Sequence, residues 1–530
     1  MSVFAYPSSV IRDAEAPLLD AGIDLMARAA HALARVCVDR LKAHRGQISG
    51  SRICVLAGHG NNAGDALFAA AALARRGAHI TVVTLFDRTH EEGLAAARRA
   101  GADIISFTEV EAGTDTDSWD GTGSEPETDP GAEVVRELSR SDLVLAGILG
   151  TGGRRGLPGH IASLIRGWRT TESAANGLIV SVDIPSDLSP EAAGAEDRIH
   201  ADHTVTFGGL KIDLVDPRVR AFTGRVSVID IGLGLDDGEA AAEVLDTRDL
   251  NADYPRPQPE GYKYSRGVVG ILAGSEEYPG AGVLTTTSAV NCGIGMVRYL
   301  GSEPVAEFVI GLHAEVVTAT GRMNTVVMGP GDPESEFVAG CVDDLEDTDI
   351  PVVLDAGALD MVGRSESVKG TWLSERPVVL TPHAGELARL LSRLLGEIIT
   401  SSRINADPIG SAKQAAKLSG CIVLLKGHQT VIACPDGFCV LPEAGPASLA
   451  TAGSGDVLAG IIGSMMATAH ARTQQQSTQA VPGHREWAHI AGLGVLIHNA
   501  AGRRAVNAGS LVDALAEVTS ELIHGGSLLE

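Results

Sequence analysis

The spacing of apolar residues predicts helices at the start of the chain and a strand–helix–strand unit after them. Between residues 11 and 41, apolar side chains such as Ile23, Met26, Leu33 and Leu41 recur at helical intervals, which predicts one or two amphipathic helices. The apolar run ICVLAG then ends in a glycine and precedes the helical stretch ALFAAAALARR and the apolar run ITVVTLF. This alternation indicates a βαβ unit with parallel strands.

The same alternation continues along the chain in two series. The first series includes the apolar runs at 143–149 and 178–182, and the second includes VVGILAG, VVLDAG, VVLTP and IVLLKG before the helical stretch GSGDVLAGIIGSMMATA. Strands that alternate with helices form mainly parallel sheets covered on both faces. We therefore expect an α/β fold with two domains, at 1–240 and 262–530.

Three polar segments interrupt these series. Residues 109–133 contain nine acidic and no basic side chains, which predicts a solvated surface insertion because too little apolar surface is present to fold alone. Residues 241–261 end in the proline-rich YPRPQPEG, which is typical of a linker between domains. The tract RTQQQSTQAVPGHRE at 472–486 is interpreted as a second surface loop.

Composition excludes several classes of protein. A net charge of -25 argues against nucleic acid as a partner, because phosphate backbones are bound by clustered Lys and Arg. The seven cysteines show no zinc-site spacing, so reduced structural thiols are expected. With no apolar run near the roughly 18 residues of a membrane span and no signal peptide, we expect a soluble cytoplasmic protein.

The sharpest chemical motif is the glycine-rich turn Ala452–Asp456 at the start of a predicted helix. Glycines allow close backbone approach, and the first amides of a helix attract phosphate. Asp456 could take a proton from a substrate hydroxyl beside such an anion site. Taken alone, the motif leaves open that Asp456 only caps the helix.

Motifs around this turn resemble a known family. The segments KYSRG (263–267), AGSEEYPGAG (273–282), GPG (329–331), TPHAGE (381–386), LLKGHQTVI (424–432) and TAGSGDVLAGII (451–462) are similar, in order, to NAD(P)H-hydrate dehydratases of the ribokinase-like superfamily. The resemblance implies a ribokinase-like α/β/α sandwich and an ADP-dependent dehydration of the S form of NADH and NADPH hydrates. The hydrate would contact Ala281, Gly331, His383 and the base Asp456; ADP would contact Lys426, Gly427, His428, Gln429, Thr430 and Gly455.

Alternatives for some of these residues stay open. His383 could cap the helix that follows it, and Glu386 could compensate the dipole in its first turn. Lys426 could reach solvent instead of a phosphate. Relatives usually carry a second acidic residue where this chain has Gly357, which puts contacts there in doubt. Mg²⁺ is inferred from the need to neutralise the transferring phosphates, without a visible ligand set.

The first series contains a second set of motifs. The turn GHGNNAGD (58–65) lies between a strand and a helix, where it could cradle a diphosphate, although any Rossmann-like turn can look this way. With AGILGTGGRRG (146–156), VSVDIPSDL (180–188), ADHTVTFGGLK (201–211) and VIDIGL (228–233), it resembles the Rossmann-like NAD(P)H-hydrate epimerase domain. The whole chain thus resembles the bifunctional NAD(P)H-hydrate repair enzymes.

This second resemblance implies its own site residues. The hydrate would be held by Asn61, Asn62, Ala63, Gly64, Asp65, Gly150, Thr151, Gly152, Gly156 and Asp183, of which Asp183 would act in epimerisation. Asn62 and Ser186 would ligate K⁺. Relatives carry an aspartate ligand at the place of Ala146, and glycines at Ala63, Ala66 and Asp187, so the ion site should be weakened and the epimerase could be impaired.

Two further interpretations remain. The second series could belong to a ribokinase-like small-molecule kinase, with a non-catalytic nucleotide-binding or scaffolding domain in front of it. Neither the preference for ADP over ATP nor the oligomeric state follows from the sequence, and a homo-oligomer is left open.

Overall fold

The chain forms two compact units, each built around a sheet. A computed structural model describes residues 3–108, 130–150, 156–171, 177–186, 198–331, 345, 348–363, 376–475 and 482–526. The first unit is Ala5–Ala240, and the second comprises Ala241–Glu530 together with Met1–Phe4.

In its described part, the first unit contains seven parallel strands in one sheet. Their spatial order is Asp103–Ser106, His79–Thr84, Arg52–Ala57, Leu143–Gly147, Leu178–Val182, His203–Phe207 and Arg225–Ile229. The register pairs Ile53 with Ile80 on one side and with Leu143 on the other. A separate short pairing joins Val3–Tyr6 in parallel to Leu210–Lys211.

Helices accompany this sheet. They are Ser8–Asp20, Leu25–Arg45, Asn61–Ala74, Glu91–Arg99, Pro130–Arg140, Gly159–Arg169 and the short Arg220–Thr223, with 3₁₀ turns at Ile212–Leu214 and Asp237–Glu239. The first two confirm the helices predicted from the opening pattern. Leu25–Arg45 begins where the Asp24 side chain accepts from the amide of Ala27 at 2.8 Å, and it ends at the left-handed Gly46, as helix-capping preferences predict.

The described end of the predicted acidic insertion is helical. The helix Pro130–Arg140 begins inside 109–133, because Val134 and Leu138, one turn apart, are buried against the core. Residues 109–129 lie outside the described part of the chain.

The second unit contains nine strands within the described part of 241–526. Met296–Tyr299, Val268–Leu272, Thr325–Met328, Val352–Leu354, Val378–Leu380 and Ile422–Leu425 are parallel neighbours. Val431–Ala433 and Cys439–Pro442 continue the sheet antiparallel, and Ala242–Leu245 pairs in parallel with Cys439–Pro442.

Helices also flank this sheet. They are Thr247–Asp253, Pro279–Asn291, Glu303–Leu312, Ala384–Leu395, Ser401–Ala406, Pro408–Ser419, Ser454–Gln475, His484–Gly502 and Ala508–His524, with 3₁₀ segments at Ala356–Met361 and Ala447–Leu449. Ser454–Gln475 and Pro279–Asn291 pack closely. A Cβ added to Gly460 would lie only 2.1 Å from the hydroxyl oxygen of Ser288, so glycine permits this approach.

Two loop predictions in this unit are wrong. The expected linker 241–261 contains a paired strand and the helix Thr247–Asp253, which Asp246 and Asp249 begin with a reciprocal capping box. The expected loop 472–486 is partly helical, because Ser454–Gln475 extends to Gln475 and the next helix begins at His484. Residues 476–481 are outside the described part.

The predicted fold class, two α/β units with mainly parallel sheets, is confirmed. Six cysteines of the described chain are buried and free. Among the described helices, none is long and apolar enough to cross a membrane.

Candidate functional site

The glycine-rich turn of the second unit places Asp456 in the first turn of a long helix. Gly453 has φ +86°, and a Cβ there would approach the side chain of Leu284 to 2.6 Å, so both conformation and space require glycine. The helix begins at Ser454. The Ser454 amide donates to the Thr451 carbonyl at 3.3 Å, whereas among the described residues the amides of Gly455 and Asp456 show no such backbone bond. These two amides at the helix start can bind an anion.

The Asp456 carboxylate is set apart electrostatically. Burial, the largest cause, and the nearby Asp355 carboxylate together raise its pKa from 3.8 to about 6, although Lys426 opposes the rise. Among the hydrogen bonds of the described residues, none reaches the Asp456 carboxylate. Asp456 therefore lacks the contacts of a helix cap and has a pKa suited to a base near neutral pH.

Lys426 is held by carboxylates rather than by solvent. Its ammonium donates to Asp355 Oδ1 at 2.7 Å and lies 4.0 Å from Glu386 Oε2, and its side chain is 20% exposed. Thr381 donates to the same Asp355 oxygen at 2.8 Å. Burial disfavours charged Lys426, but Asp355 and Glu386 outweigh it and raise the pKa of the amine. Lys426 is therefore a fixed cation at the end of its strand.

A cavity of about 650 Å³ adjoins this cation. Its lining includes five predicted ADP residues, namely Lys426, Gly427, His428, Thr430 and Gly455, and also the predicted hydrate residue His383. The volume lies in the usual range for small-molecule sites. Gly455 lies beside the cation, because a Cβ there would be 3.4 Å from the Lys426 ammonium.

Gln429 departs from the predicted nucleotide set. It is buried and absent from the described cavity lining, whereas its neighbours His428 and Thr430 line the cavity. Contact of the Gln429 side chain with ADP is therefore not supported.

His383 caps the helix Ala384–Leu395. This role at the helix start was the alternative to hydrate binding in the sequence analysis. Its Nδ1 accepts from the amides of Gly385 at 3.0 Å and Glu386 at 3.4 Å, while Glu386 accepts from the His383 amide at 2.8 Å. The side chain is 57% exposed and also lines the cavity. The other ring nitrogen, Nε2, lies 3.5 Å from Glu386 Oε1.

Ala281 and Gly331 lie against each other. Gly331 has φ +65°, and a Cβ there would be 2.4 Å from the Ala281 methyl. The structure therefore brings together two predicted hydrate residues that are fifty positions apart. Gly357, where the resemblance leads us to expect a second acid, lies in the 3₁₀ segment Ala356–Met361, and Ala356 has φ 46°.

In the first unit, Asp183 forms a buried ion pair. Its Oδ1 accepts from the Lys211 ammonium at 2.6 Å and from the Thr206 hydroxyl at 2.9 Å. Lys211 also donates to the Phe207 carbonyl at 3.2 Å. Asp183 has φ 64°, an uncommon conformation for a residue with a Cβ. The packed surroundings thus hold one carboxylate in a fixed orientation.

Asp65 lies close enough to this pair to be affected by it. Burial, the largest cause, and the charges of Asp183 and Glu15 together raise its pKa to about 8, although Lys211 opposes the rise. Asp65 is 7% exposed, and its Oδ1 has no hydrogen-bond partner among the described residues. Asp65 is therefore protonated at neutral pH, whereas Asp183 is paired with a cation.

The two predicted K⁺ ligands, Asn62 and Ser186, both contact the backbone of Leu149. Asn62 Nδ2 donates to the Leu149 carbonyl at 3.4 Å and to the Val182 carbonyl at 2.8 Å, and Ser186 Oγ accepts from the Leu149 amide at 2.9 Å. Ala146 is 2% exposed and supplies no oxygen. The side chains present fit a cation only in part, since the carboxylate ligand is missing.

The remaining predicted epimerase residues are only partly described by the structure. Asn61, Ala63 and Gly64 lie in the first turn of Asn61–Ala74, and Gly156 has φ +89°. A Cβ on Gly150 would be 2.7 Å from Asn62 Oδ1. Thr151, Gly152 and Asp187 lie outside the described residues.

The alanines that replace glycines are accommodated in the helix Asn61–Ala74. Ala63 and Ala66 are fully buried, and neither is among the non-glycine residues with positive φ. The concern that these positions require a positive φ therefore does not apply. Ala66 is close to the strand Leu143–Gly147, since a Cβ on Gly147 would be 2.9 Å from its methyl.

Sequence reasoning missed four polar residues near these sites. Thr206 and Lys211 lie in the quoted motif ADHTVTFGGLK, but only the fold shows that both reach Asp183. Ser454 lies in the glycine-rich turn and His498 in a distant helix, and the two side chains contact each other at 3.2 Å. Hydrophobic periodicity carries no signal for such long-range polar contacts.

Comparisons with known proteins place both units. Residues 269–522 match the family described as NAD(P)H-hydrate dehydratase, and residues 22–212 match the family described as YjeF-related protein N-terminus. A bifunctional NAD(P)H-hydrate repair enzyme Nnr of Mycobacterium tuberculosis is 40% identical over 87% of this chain and 89% of its own. The protein of that name from Escherichia coli is 30% identical over 84% of this chain and 80% of its own.

A solved structure is also similar to the second half of the chain. It is an ADP/ATP-dependent NAD(P)H-hydrate dehydratase from Bacillus subtilis, co-crystallised with ATP and Mg²⁺, with 29% identity and a TM-score of 0.43 over 52% of this chain and 97% of its own. The predicted family is confirmed by the full-length relatives. This chain belongs to the family of bifunctional NAD(P)H-hydrate repair enzymes.

Proposed function

We propose that this protein repairs hydrated NADH and NADPH, with an ADP-dependent dehydratase in its second unit and an epimerase in its first. The observation that carries the dehydratase assignment is the position of Asp456. Its carboxylate has a pKa of about 6 and feels the charges of Asp355 and Lys426. Asp456 directly follows Ser454 and Gly455, which line the cavity together with Lys426. We infer the substrates from family membership and the chemistry from the residues of the site.

The reaction solves a leaving-group problem. Hydroxide is hard to expel from the hydrated ring because the pKa of water is about 15.7. Asp456 would take the proton of the ring hydroxyl as the hydroxyl oxygen bonds to the β-phosphorus of ADP, and AMP would leave. The C–O bond would then break toward phosphate, whose second pKa is about 6, while the ring nitrogen lone pair forms a C=N bond. Loss of a proton from the neighbouring carbon restores NADH or NADPH.

Other residues would bind and orient the reactants. The phosphates of ADP would be held by Lys426 and by the first amides of the helix Ser454–Gln475. The hydrate would be contacted by Ala281, Gly331 and His383. Mg²⁺ would accompany ADP and neutralise the transferring phosphate. The described residues contain no cluster of three His, Cys, Asp or Glu side chains arranged for a metal, so we assign Mg²⁺ no protein ligands.

In the first unit, we propose that Asp183 acts on the R and S hydrates. Its hydrogen bond from Lys211 at 2.6 Å keeps its carboxylate oriented. The nucleotide would be bound around it by Asn62, Gly150 and Asp65. Asn62 and Ser186 would hold K⁺ weakly, since Ala146 supplies no ligand. Epimerisation would convert the R form into the S form that the dehydratase consumes.

The test is turnover of mixed R and S NADH hydrates by purified protein with ADP and Mg²⁺, followed by NADH absorbance. We expect full recovery, faster than spontaneous epimerisation allows. A fast phase that ends near the S fraction would show that the epimerase is impaired. A phosphorylated hydrate that accumulates without NADH would favour a small-molecule kinase, and no ADP-dependent recovery would refute the dehydratase.

A further inference from the structure

His498 contacts the phosphate-binding turn from a helix that the sequence motifs do not include. It lies on His484–Gly502, is 6% exposed, and lines the same cavity as Lys426 and Gly455. Its Nε2 lies 3.1 Å from the carbonyl oxygen of Ser454 and 3.2 Å from the hydroxyl oxygen of Ser454. One ring nitrogen therefore contacts both the carbonyl and the hydroxyl of Ser454, the first residue of the helix Ser454–Gln475.

The Ser454 carbonyl determines which atoms donate and which accept in these hydrogen bonds. A carbonyl oxygen only accepts, so His498 Nε2 must carry the hydrogen. The Ser454 hydroxyl oxygen, at nearly the same distance, then accepts from the same N–H. Its own hydrogen is not used by His498 and can be donated to a ligand. Ser454 lines the cavity beside Gly455, where a phosphate oxygen is the fitting acceptor.

The surroundings keep this arrangement constant. Burial lowers the pKa of His498 to about 4, and the positive charge of Lys426 contributes to the lowering, although the Ser454 carbonyl opposes it. His498 is therefore neutral at physiological pH and adds no second cation to the cavity. It can direct a phosphate only through the geometry of Ser454.

We infer that the Ser454 hydroxyl donates a hydrogen bond to a phosphate of ADP, and that His498 is the positioning residue that orients this hydroxyl and the turn beneath it. This inference rests on the proposed function and refines its nucleotide site. It adds two residues to those expected from the family motifs. A purely structural role, joining two helices, would instead affect folding without selective loss of nucleotide affinity.

Four proteins test the inference: wild type, Ser454→Ala, His498→Leu and His498→Gln. The glutamine amide reaches about as far as Nε2 and can donate to the Ser454 carbonyl, whereas leucine fills similar space without a donor. ADP binding in the presence of Mg²⁺ is measured by titration calorimetry, and KM for the S hydrate is measured separately. Thermal unfolding shows which variants are folded.

We expect Ser454→Ala and His498→Leu to weaken ADP binding about 10-fold or more, the usual effect of removing a hydrogen bond to a charged group. KM for the hydrate should be unchanged, and His498→Gln should bind ADP within about 3-fold of wild type. Unchanged ADP affinity in Ser454→Ala would overturn the inference, as would equal losses in both His498 variants. Wild-type ADP binding without ADP-dependent NADH recovery would refute the proposed function alone.

Discussion

Replacement of Asp456 by Asn should abolish dehydration and stabilise the fold. The ionised carboxylate is disfavoured in the folded protein, because burial and the charge of Asp355 raise its pKa from 3.8 to about 6. The difference between these values corresponds to a cost of about 3 kcal/mol at pH 7. Asn has nearly the same shape and no charge, so Asp456→Asn should raise the free energy of unfolding by up to about 3 kcal/mol.

The same substitution removes the proposed base. A positioned general base contributes on the order of 100- to 10,000-fold, so kcat for the S hydrate should fall by about that factor. Wild-type kcat should rise with pH through about 6, as Asp456 loses its proton. Because the folded pKa is raised, the electrostatic cost of Asp456 is absent below the unfolded pKa and develops fully above pH 6.

These quantities are measured with pure S hydrate, ADP and Mg²⁺ by NADH absorbance, together with urea unfolding at pH 5 and pH 7.5. Asp183→Asn is the matched control, since it removes one carboxylate in the other unit and should leave turnover of the S hydrate unchanged. An Asp456→Asn protein with more than about a tenth of wild-type kcat would contradict the role of a base. A variant that is less stable than wild type at pH 7.5 would contradict the electrostatic reasoning.

Three further substitutions test other parts of the two sites. Lys426→Gln should abolish detectable ADP binding, and it should destabilise the protein by about 3–5 kcal/mol because the buried Asp355 carboxylate loses its cation. Calorimetry measures the ADP affinity and urea unfolding measures the stability. A wild-type ADP affinity would exclude a contact between Lys426 and a phosphate. Gly331→Ala should raise KM for the hydrate and destabilise the protein by about 1–3 kcal/mol, since its φ of +65° and the Ala281 methyl at 2.4 Å both oppose a Cβ; an unchanged KM would place the hydrate elsewhere. Asp183→Asn should leave the R fraction of mixed hydrates to react only at the spontaneous rate of epimerisation, and full recovery at the wild-type rate would show that Asp183 is not needed.

The sequence alone determined the fold class and the chemical motifs. Strand and helix periods are local properties, so apolar runs such as 268–274 and 422–427 revealed the strands of two α/β units. Glycine-rich turns are also local, which made Asp456 visible as a candidate base. The local signal failed where apolar positions were few: the strand Ala242–Leu245 lies within the expected linker and is held by pairing with Cys439–Pro442.

Tertiary structure decided which charges face one another. Asp355, Glu386 and Lys426 belong to different segments of the sequence. Only the parallel sheet, which places the segments after Val352–Leu354, Val378–Leu380 and Ile422–Leu425 side by side, brings their side chains together. The raised pKa of Asp456 and the orientation of Ser454 by His498 follow from the same convergence. Burial and long-range pairing are properties of the packed chain, because neighbours in space supply the desolvation and the fields that neighbours in sequence do not.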